Sequence, residues 1–166
     1  MRLYHGSHIG VKNPKILTSS RIGNFGTGFY TTSDVKQARR WAQIRARQSD
    51  QSVGSVTIYD VLDSLFDNPE LKVKTFDKAD EAWLDFVMGN RKNPKFEHGF
   101  DLVRGPVAND RVYICLNALE DGLADRDSVI KRLKTYVLVD QILFHTAKSL
   151  LFLNYVKSEE VPCLPK

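Results

Sequence analysis

The pattern of hydrophobic and polar positions predicts short strands that alternate irregularly with helices of moderate length. Apolar runs rich in β-branched or aromatic residues indicate strands, which lie at Arg2–His5, Gly28–Thr31, Val53–Val61 and Val137–Phe144. Apolar residues at helical spacing indicate helices, which lie at about Asp34–Gln48, Asp77–Met88 and Asp127–Lys134, with a last helix from Thr146. Such an irregular mixture favours an α+β fold over a doubly wound parallel sheet.

Local signals add detail to this outline. Asp34 stands at the N-cap position of the first long helix, with Gln37 three residues later in the reciprocal capping position. The apolar stripe of that helix is predicted to be Val35, Ala38, Trp41, Ala42 and the stem of Arg45. Phe100–Arg104 and Arg111–Cys115 flank the segment GPVAND, and we expect a hairpin or a bent pair of strands. Because no repeat or linker interrupts the chain, the sequence predicts one domain over residues 1–166.

Composition adds a charge asymmetry to an ordinary globular profile. Hydrophobic residues make up 42% and charged residues 27% of the 166 positions, which is typical of a folded rather than a disordered chain. The net charge is +4, but residues 1–50 carry nine lysines and arginines against two aspartates. A basic half suits a partner that carries phosphate, either a nucleotide or a nucleic acid. A solvated helix face explains the same charges equally well.

The compartment follows from what the chain contains. The apolar runs are short, such as the four residues Leu150–Leu153, so we expect no membrane span, and the start MRLYHGSH predicts no signal peptide. Cys115 and Cys163 fit no metal-binding spacing, so both are expected to be reduced thiols. The sequence therefore predicts a cytoplasmic protein.

Few residues stand out individually as carriers of chemistry. His5 lies beside Gly6 and Ser7 at the end of the first predicted strand, and alone it is typical of a structural histidine. Tyr30 and Trp41 are, on the same terms, typical of core aromatics. The other histidines have no zinc-binding spacing, and the chain has no P-loop, nucleophile elbow or GxGxxG motif opening a helix. A metal site is therefore not expected.

Three segments taken together change this interpretation: LYHGSH, FGTGFYTT and ARRWA. Jointly they resemble the ADP-ribosyltransferase superfamily, in particular its diphtheria-toxin and poly(ADP-ribose) polymerase branch with a His–Tyr–Glu triad. His5-Gly6-Ser7 matches the histidine element of that branch. Gly26–Tyr30 matches its GxGxY segment, and Trp41 matches the second aromatic, eleven residues after Tyr30.

Within this superfamily, the chain most resembles a bacterial family of small uncharacterised proteins, some of them linked to toxin–antitoxin modules. That family shares the segments LYHGS, FGxGFYTT, QAxxWA, FVxxNR, GPVAND and DQxxFxT. The last three are matched by Phe86–Arg91, Gly105–Asp110 and Asp140–Thr146, so the resemblance covers nearly the whole chain. It implies a bacterial toxin or defence effector, and it allows a cognate antitoxin protein as a partner.

The resemblance also implies a fold, a reaction and a substrate. The fold would be two small antiparallel-rich sheets packed around an NAD cleft, with flanking helices. The enzyme would use NAD+ as its substrate, without a metal, and transfer ADP-ribose to a macromolecular acceptor, either protein or nucleic acid.

The implied roles suit the chemistry of nicotinamide. His5 would hydrogen-bond ribose hydroxyls, and Gly6 would offer its N–H and C=O to the carboxamide because no side chain blocks close approach. Tyr30 and Trp41 would sandwich the ring, which is positively charged before cleavage. The expected NAD+ contacts are therefore His5, Gly6, Ser7, Phe29, Tyr30, Trp41 and, for the pyrophosphate, Arg21 or Lys15.

The third motif departs from the branch. Where the family has a glutamate at the start of a late strand, this chain reads VDQILFHT, which offers Gln141 or Asp140. The two side chains point to opposite faces of a strand, so only one can reach the site. Gln141 fits slightly better, and His5, Tyr30 and Gln141 form the expected catalytic set. A glutamine keeps the hydrogen bond to the ribose 2′-hydroxyl but loses the charge, which argues for transfer of a single unit.

Two other functions stay open from the sequence. One is an NAD+ glycohydrolase, with water as the acceptor. The other is a binding module, a degenerate transferase fold that holds a nucleotide or nucleic acid with its basic half. The intact motifs favour an enzyme, and Gln141 favours the binding module. Asn90-Arg91 and Asn109-Asp110 are read either as caps and turns or as residues that position the acceptor or contact phosphate.

Overall fold

The computed structural model describes residues 1–17, 23–93, 97–107 and 110–163. The strands are β1 Arg2–Ser7, β2 Phe29–Thr31, β3 Val53–Asp60, β4 Val73–Thr75, β5 Leu102–Pro106, β6 Asp140–Phe144 and β7 Asn154–Pro162. The helices are α1 Val35–Gln48, α2 Glu81–Lys92, α3 Asp110–Glu120, α4 Arg126–Leu133 and α5 Ala147–Leu150, with a 3-10 helix at Asp63–Asp67.

The strands form two small sheets. The first has the order β1-β3-β7 and is antiparallel throughout. The second has the order β2-β6-β5-β4, in which only the β4–β5 pair is parallel. The predicted α+β class and the two small sheets are therefore confirmed.

The core is built in layers that follow the alternation of the strands. Between the two sheets lies an apolar cluster that includes Leu3 and Tyr59 from the first sheet and Phe29, Ile142 and Phe144 from the second. The outer face of the second sheet packs against α2, α3 and α4, and α1 covers the outer face of the first sheet. Among the described residues, no helix is both long and apolar enough to cross a membrane.

The first helix forms as predicted because its start is capped. The Asp34 carboxylate accepts hydrogen bonds from the backbone N–H groups of Lys36 and Gln37, which would otherwise lack partners. The buried stripe consists of Ala38, Ala42 and Ala46, not Arg45, whose side chain is exposed. These small side chains allow α1 to lie close to the strands of the first sheet.

The strand expected at Arg111–Cys115 is wrong, since these residues belong to α3. Val112, Cys115 and Leu116 are buried at helical spacing in the cluster that covers the second sheet. Val, Tyr and Ile in the segment favour a strand by propensity, but packing against a neighbouring helix outweighs that weak preference. The partner strand at Phe100–Arg104 is confirmed as β5.

The remaining differences concern the ends of elements. The second long helix begins at Glu81, because Asp80 rather than Asp77 caps it by accepting from the Trp83 N–H. The helix after Thr146 is a single turn and gives way to β7, which the sequence analysis does not predict. Thr146 does cap that turn, as its position suggests.

Candidate functional site

The candidate site lies where β1 and β2 separate. Tyr4 and Thr32 join the two strands through a pair of backbone hydrogen bonds of 2.9 and 3.0 Å. If this antiparallel pairing continued for two more residues, Gly6 would lie opposite Tyr30, but the strands do not pair there. In an antiparallel ladder alternate residues direct both backbone groups to the same side. The N–H and C=O of Gly6 therefore point, like those of Tyr4, away from β3 and towards β2.

His5 bridges the opening between the strands. Its Nδ1 donates a hydrogen bond of 2.7 Å to the Tyr30 carbonyl, and its ring stacks on Phe29 with centroids 4.2 Å apart. Burial lowers the pKa of His5 to about 4, so the imidazole is neutral near neutral pH. Because a carbonyl can only accept, Nδ1 carries the proton and Nε2 is left as an acceptor.

Tyr30 lies on the opposite face of β2 from Phe29 and His5. Its hydroxyl donates to the Gly26 carbonyl over 2.6 Å, and burial raises its pKa. The tyrosine packs tightly against Gly23, where any Cβ atom would overlap its hydroxyl. Phe29 belongs to the core between the sheets and is 7% exposed. FGTGFYTT therefore sends its two aromatic rings in opposite directions.

Gly6 is also the point of closest approach between β1 and α1. A Cβ atom on Gly6 would overlap the Ala38 carbonyl and lie 2.9 Å from the Cβ of Trp41. The Cβ of Trp41, a half-buried residue, therefore lies beside Gly6 on the face of β1 that α1 covers. Ser7 follows on β1, with its Oγ 3.5 Å from the Nδ1 of His8.

Gln141 and Asp140 lie on opposite faces of β6, as the alternation of a strand predicts. Gln141 pairs with Gly105 on the face that also carries Leu143 and Tyr30. It is 5% exposed, and its Oε1 has no hydrogen-bond partner among the described residues.

Asp140 instead holds the strand in place. Its carboxylate accepts from the N–H and hydroxyl of Ser33, both at 2.8 Å, and lies 3.4 Å from the Arg104 guanidinium. These contacts tie β6 to Ser33 on one face of the strand, whereas Gln141 on the other face keeps an unused acceptor.

Of the remaining predicted residues, Arg21 and Asn109 lie outside the described residues, and Lys15 is exposed. Asn90 is buried and donates to the Phe86 carbonyl one helical turn earlier. Arg91 pairs with Glu120 through two hydrogen bonds of 2.9 Å. The contacts of Asn90 and Arg91 therefore agree with the structural interpretation of that pair.

Two cavities lie beside Asp140, and neither is lined by His5 or Tyr30. The larger, of about 530 Å³, is lined by residues 33–36 and 139–140, and the smaller, of about 210 Å³, adjoins it at Val139 and Asp140. Within the described ranges, no group of three or more His, Cys, Asp or Glu side chains is placed to hold a metal ion.

The sequence analysis considered His98 and His145 only as zinc ligands and missed their actual position. Both hydrogen-bond to the turn at residues 23–28, immediately before β2. No short motif marks them. The one signal was their position, with His98 just before β5 and His145 directly after β6.

The fold and site define an α+β protein of two sheets with a histidine, a glycine and a tyrosine at the opening between β1 and β2. Residues 1–155 match a family described as protein of unknown function (DUF3990), and the chain belongs to that family. No curated protein and no solved structure matches the chain.

Proposed function

We propose that this protein is an NAD+-dependent mono-ADP-ribosyltransferase that transfers one ADP-ribose unit to a macromolecular acceptor. The observation that carries the proposal is the meeting of His5, Gly6 and Tyr30 where β1 and β2 separate. These residues come from two motifs 25 positions apart, and both motifs resemble the same superfamily.

The backbone of Gly6 supplies what a carboxamide requires. A carboxamide has one acceptor and two donors, and the N–H and C=O of Gly6 point together into the opening between the strands. Trp41 lies beside Gly6, and Tyr30 belongs to the strand across the opening. Aromatic faces on both sides would attract the nicotinamide ring while it is positively charged.

Two further groups, which lie on opposite faces of the second sheet, offer acceptors for ribose hydroxyls. The Nε2 of His5 is an acceptor, so it can receive a hydrogen bond from a ribose hydroxyl. The Oε1 of Gln141 is a buried acceptor without a donor, and burying such a group without a partner costs free energy. A ribose 2′-hydroxyl would supply the missing donor.

The chemical step would be a substitution at ribose C1′. The bond from C1′ to the nicotinamide nitrogen breaks, and nicotinamide leaves with the bonding electrons. A nucleophilic atom of the acceptor then bonds to C1′ and releases its proton to solvent. Since a neutral amide stabilises the developing positive charge less than a carboxylate does, Gln141 would cost about 1–3 kcal/mol at the transition state.

The proposal is tested by incubating the purified protein with a bacterial lysate and with NAD+ that carries a label in its adenylate half. We expect nicotinamide release together with label that disappears from macromolecules after protease or after nuclease, depending on the acceptor. Free ADP-ribose without labelled macromolecules would instead identify a glycohydrolase. Binding of NAD+ without cleavage would identify a binding module.

Substitutions connect the activity to the site. His5→Ala and Tyr30→Ala should abolish nicotinamide release while urea unfolding stays cooperative. Tyr30→Phe is the matched control, because it keeps the ring and removes only the hydrogen bond to Gly26. If the alanine variants lost cooperative unfolding, both residues would belong to the core rather than to a binding site.

A further inference from the structure

Three consecutive carbonyl groups of the turn at residues 23–28 are each bound by an aromatic side chain. His98 hydrogen-bonds to the backbone of Phe25, Tyr30 donates to Gly26, and His145 Nδ1 lies 2.7 Å from the Thr27 carbonyl. Gly26 has a backbone φ of 91°, a conformation that residues other than glycine rarely adopt. The buried ring of Phe25 anchors the first half of the turn in the core, so the bonds at Gly26 and Thr27 matter chiefly for the position of residues 26–28.

The hydrogen bonds determine which nitrogen of each imidazole carries the proton. The Phe100 N–H donates to His98 Nδ1 over 3.1 Å, so His98 donates to Phe25 from Nε2. The Thr27 carbonyl can only accept, so His145 donates from Nδ1. The two rings contact each other edge to face, with centroids 4.4 Å apart. The histidines therefore act from opposite tautomers.

His145 is a poor choice for stability alone. Its Nε2 is buried without a hydrogen-bond partner among the described residues, and an unpaired buried acceptor costs free energy. Thr27 is exposed, so water could replace the bond to its carbonyl. Replacing His145 with an apolar residue should therefore lower the stability of the protein only slightly. The main contribution of the imidazole is to hold the turn in place.

The turn at residues 23–28 also determines the position of the Tyr30 ring. The tyrosine packs against Gly23 so closely that no side chain fits there, and its hydroxyl bonds to Gly26. A shift of the turn would therefore move the aromatic ring on which nicotinamide is proposed to stack. Misplacement of a reacting group by about 1 Å can lower a rate by about 100-fold.

We infer that His98 and His145 are positioning residues of the proposed NAD+ site, holding the turn that fixes the ring of Tyr30. The inference rests on the proposed function for its catalytic consequence. Its structural half, the attachment of the turn to the two imidazoles, does not depend on that function.

Because the two histidines donate from different nitrogens, asparagine and glutamine should have opposite effects at the two positions, and each is tested at both. The amide nitrogen of asparagine lies near the position of Nδ1 and that of glutamine near Nε2. His145→Asn and His98→Gln should therefore keep nicotinamide release within about threefold of wild type. His145→Gln and His98→Asn should lower it about tenfold or more, equivalent to ~1.4 kcal/mol at 25 °C. Melting temperatures should not follow this crossed pattern.

Amide hydrogen exchange of Gly26, whose N–H donates to the Gly23 carbonyl over 3.0 Å, measures the attachment without NAD+. We expect exchange to accelerate in His145→Gln and His98→Asn and to stay slow in the other two variants. Equal exchange and equal nicotinamide release in all four variants of an active protein would overturn the inference. A wild-type protein that cleaves no NAD+ would refute the proposed function, and the exchange pattern would still decide whether the histidines hold the turn.

Discussion

Replacement of His5 by asparagine should remove a pH-dependent contribution to stability. The imidazole is held neutral in the folded protein because burial lowers its pKa from 6.5 to about 4. In the unfolded chain the group takes up a proton near pH 6.5, so between these values the unfolded state binds more protons. The stabilising contribution is therefore complete above about pH 6.5 and is lost progressively as the pH falls towards 4.

The magnitude follows from the same two values. Each pH unit between the folded and unfolded pKa corresponds to 1.36 kcal/mol, so a fall from 6.5 to about 4 corresponds to about 3 kcal/mol. Asparagine keeps a donor near Nδ1, which can still bond to the Tyr30 carbonyl, but it does not titrate. Between pH 7 and pH 4 the free energy of unfolding of His5→Asn should therefore fall by about 3 kcal/mol less than that of wild type.

Urea unfolding followed by tryptophan fluorescence at several pH values measures this difference. His145→Asn provides an independent second case, because burial and the neighbouring His98 lower the pKa of His145 to about 4 as well. Comparison with wild type cancels the acid titration of carboxylates shared by all three proteins. Parallel stability curves for wild type and His5→Asn would show that His5 is not held neutral between the strands.

Three further predictions address the site and its neighbours. NAD+ at 100 times its Kd should stabilise the folded protein by about 2.7 kcal/mol, and the absence of both a heat of binding and a melting shift would refute the nicotinamide pocket. Gly6→Ala should destabilise the protein by about 1–3 kcal/mol, since its Cβ would meet the Ala38 carbonyl, and an unchanged urea midpoint would contradict this. Gln141→Glu should preserve or raise nicotinamide release, while Asp140→Ala should lower stability by about 1–2 kcal/mol through loss of the Ser33 bonds but leave cleavage intact. A dead Asp140→Ala beside a fully active Gln141→Ala would reverse the assignment of the two residues.

Local signals predicted the elements whose ends are marked by a specific residue. Asp34 placed the start of α1 correctly because an aspartate followed by an apolar stripe is a strong capping pattern. The sequence analysis began the second long helix at about Asp77, whereas the hydrogen bond from Asp80 caps it and α2 begins at Glu81. Such choices depend on how the helix packs, which the local sequence does not contain.

The two largest errors have different physical causes. In α3 the helical spacing of Val112, Cys115 and Leu116 was present, but β-branched and aromatic neighbours obscured it. In β7, which forms an edge of the first sheet, most of the residues Asn154–Pro162 are exposed, and three of them, Lys157, Glu159 and Glu160, are charged. Edge strands commonly carry charges that prevent further pairing, so the hydrophobic signal for this strand was weak.

The candidate site was predictable only as a set of residues. The motifs identified His5, Gly6 and Tyr30, but the 2.7 Å bond from His5 to Tyr30 depends on how β1 and β2 meet. That geometry is set by a single pair of hydrogen bonds at Tyr4 and Thr32, beyond which the strands separate. No local pattern encodes where two strands stop pairing.

Strand alternation explains why Gln141, rather than Asp140, is the candidate for the third motif. On β6 the aspartate is bound by Ser33 and lies near Arg104, so its oxygens are already partnered. The glutamine shares the face of Tyr30 and keeps an unpaired acceptor in a nearly closed environment. Gln141 is therefore our candidate for binding the ribose 2′-hydroxyl, and nicotinamide release by Gln141→Ala and Asp140→Ala decides between the two residues.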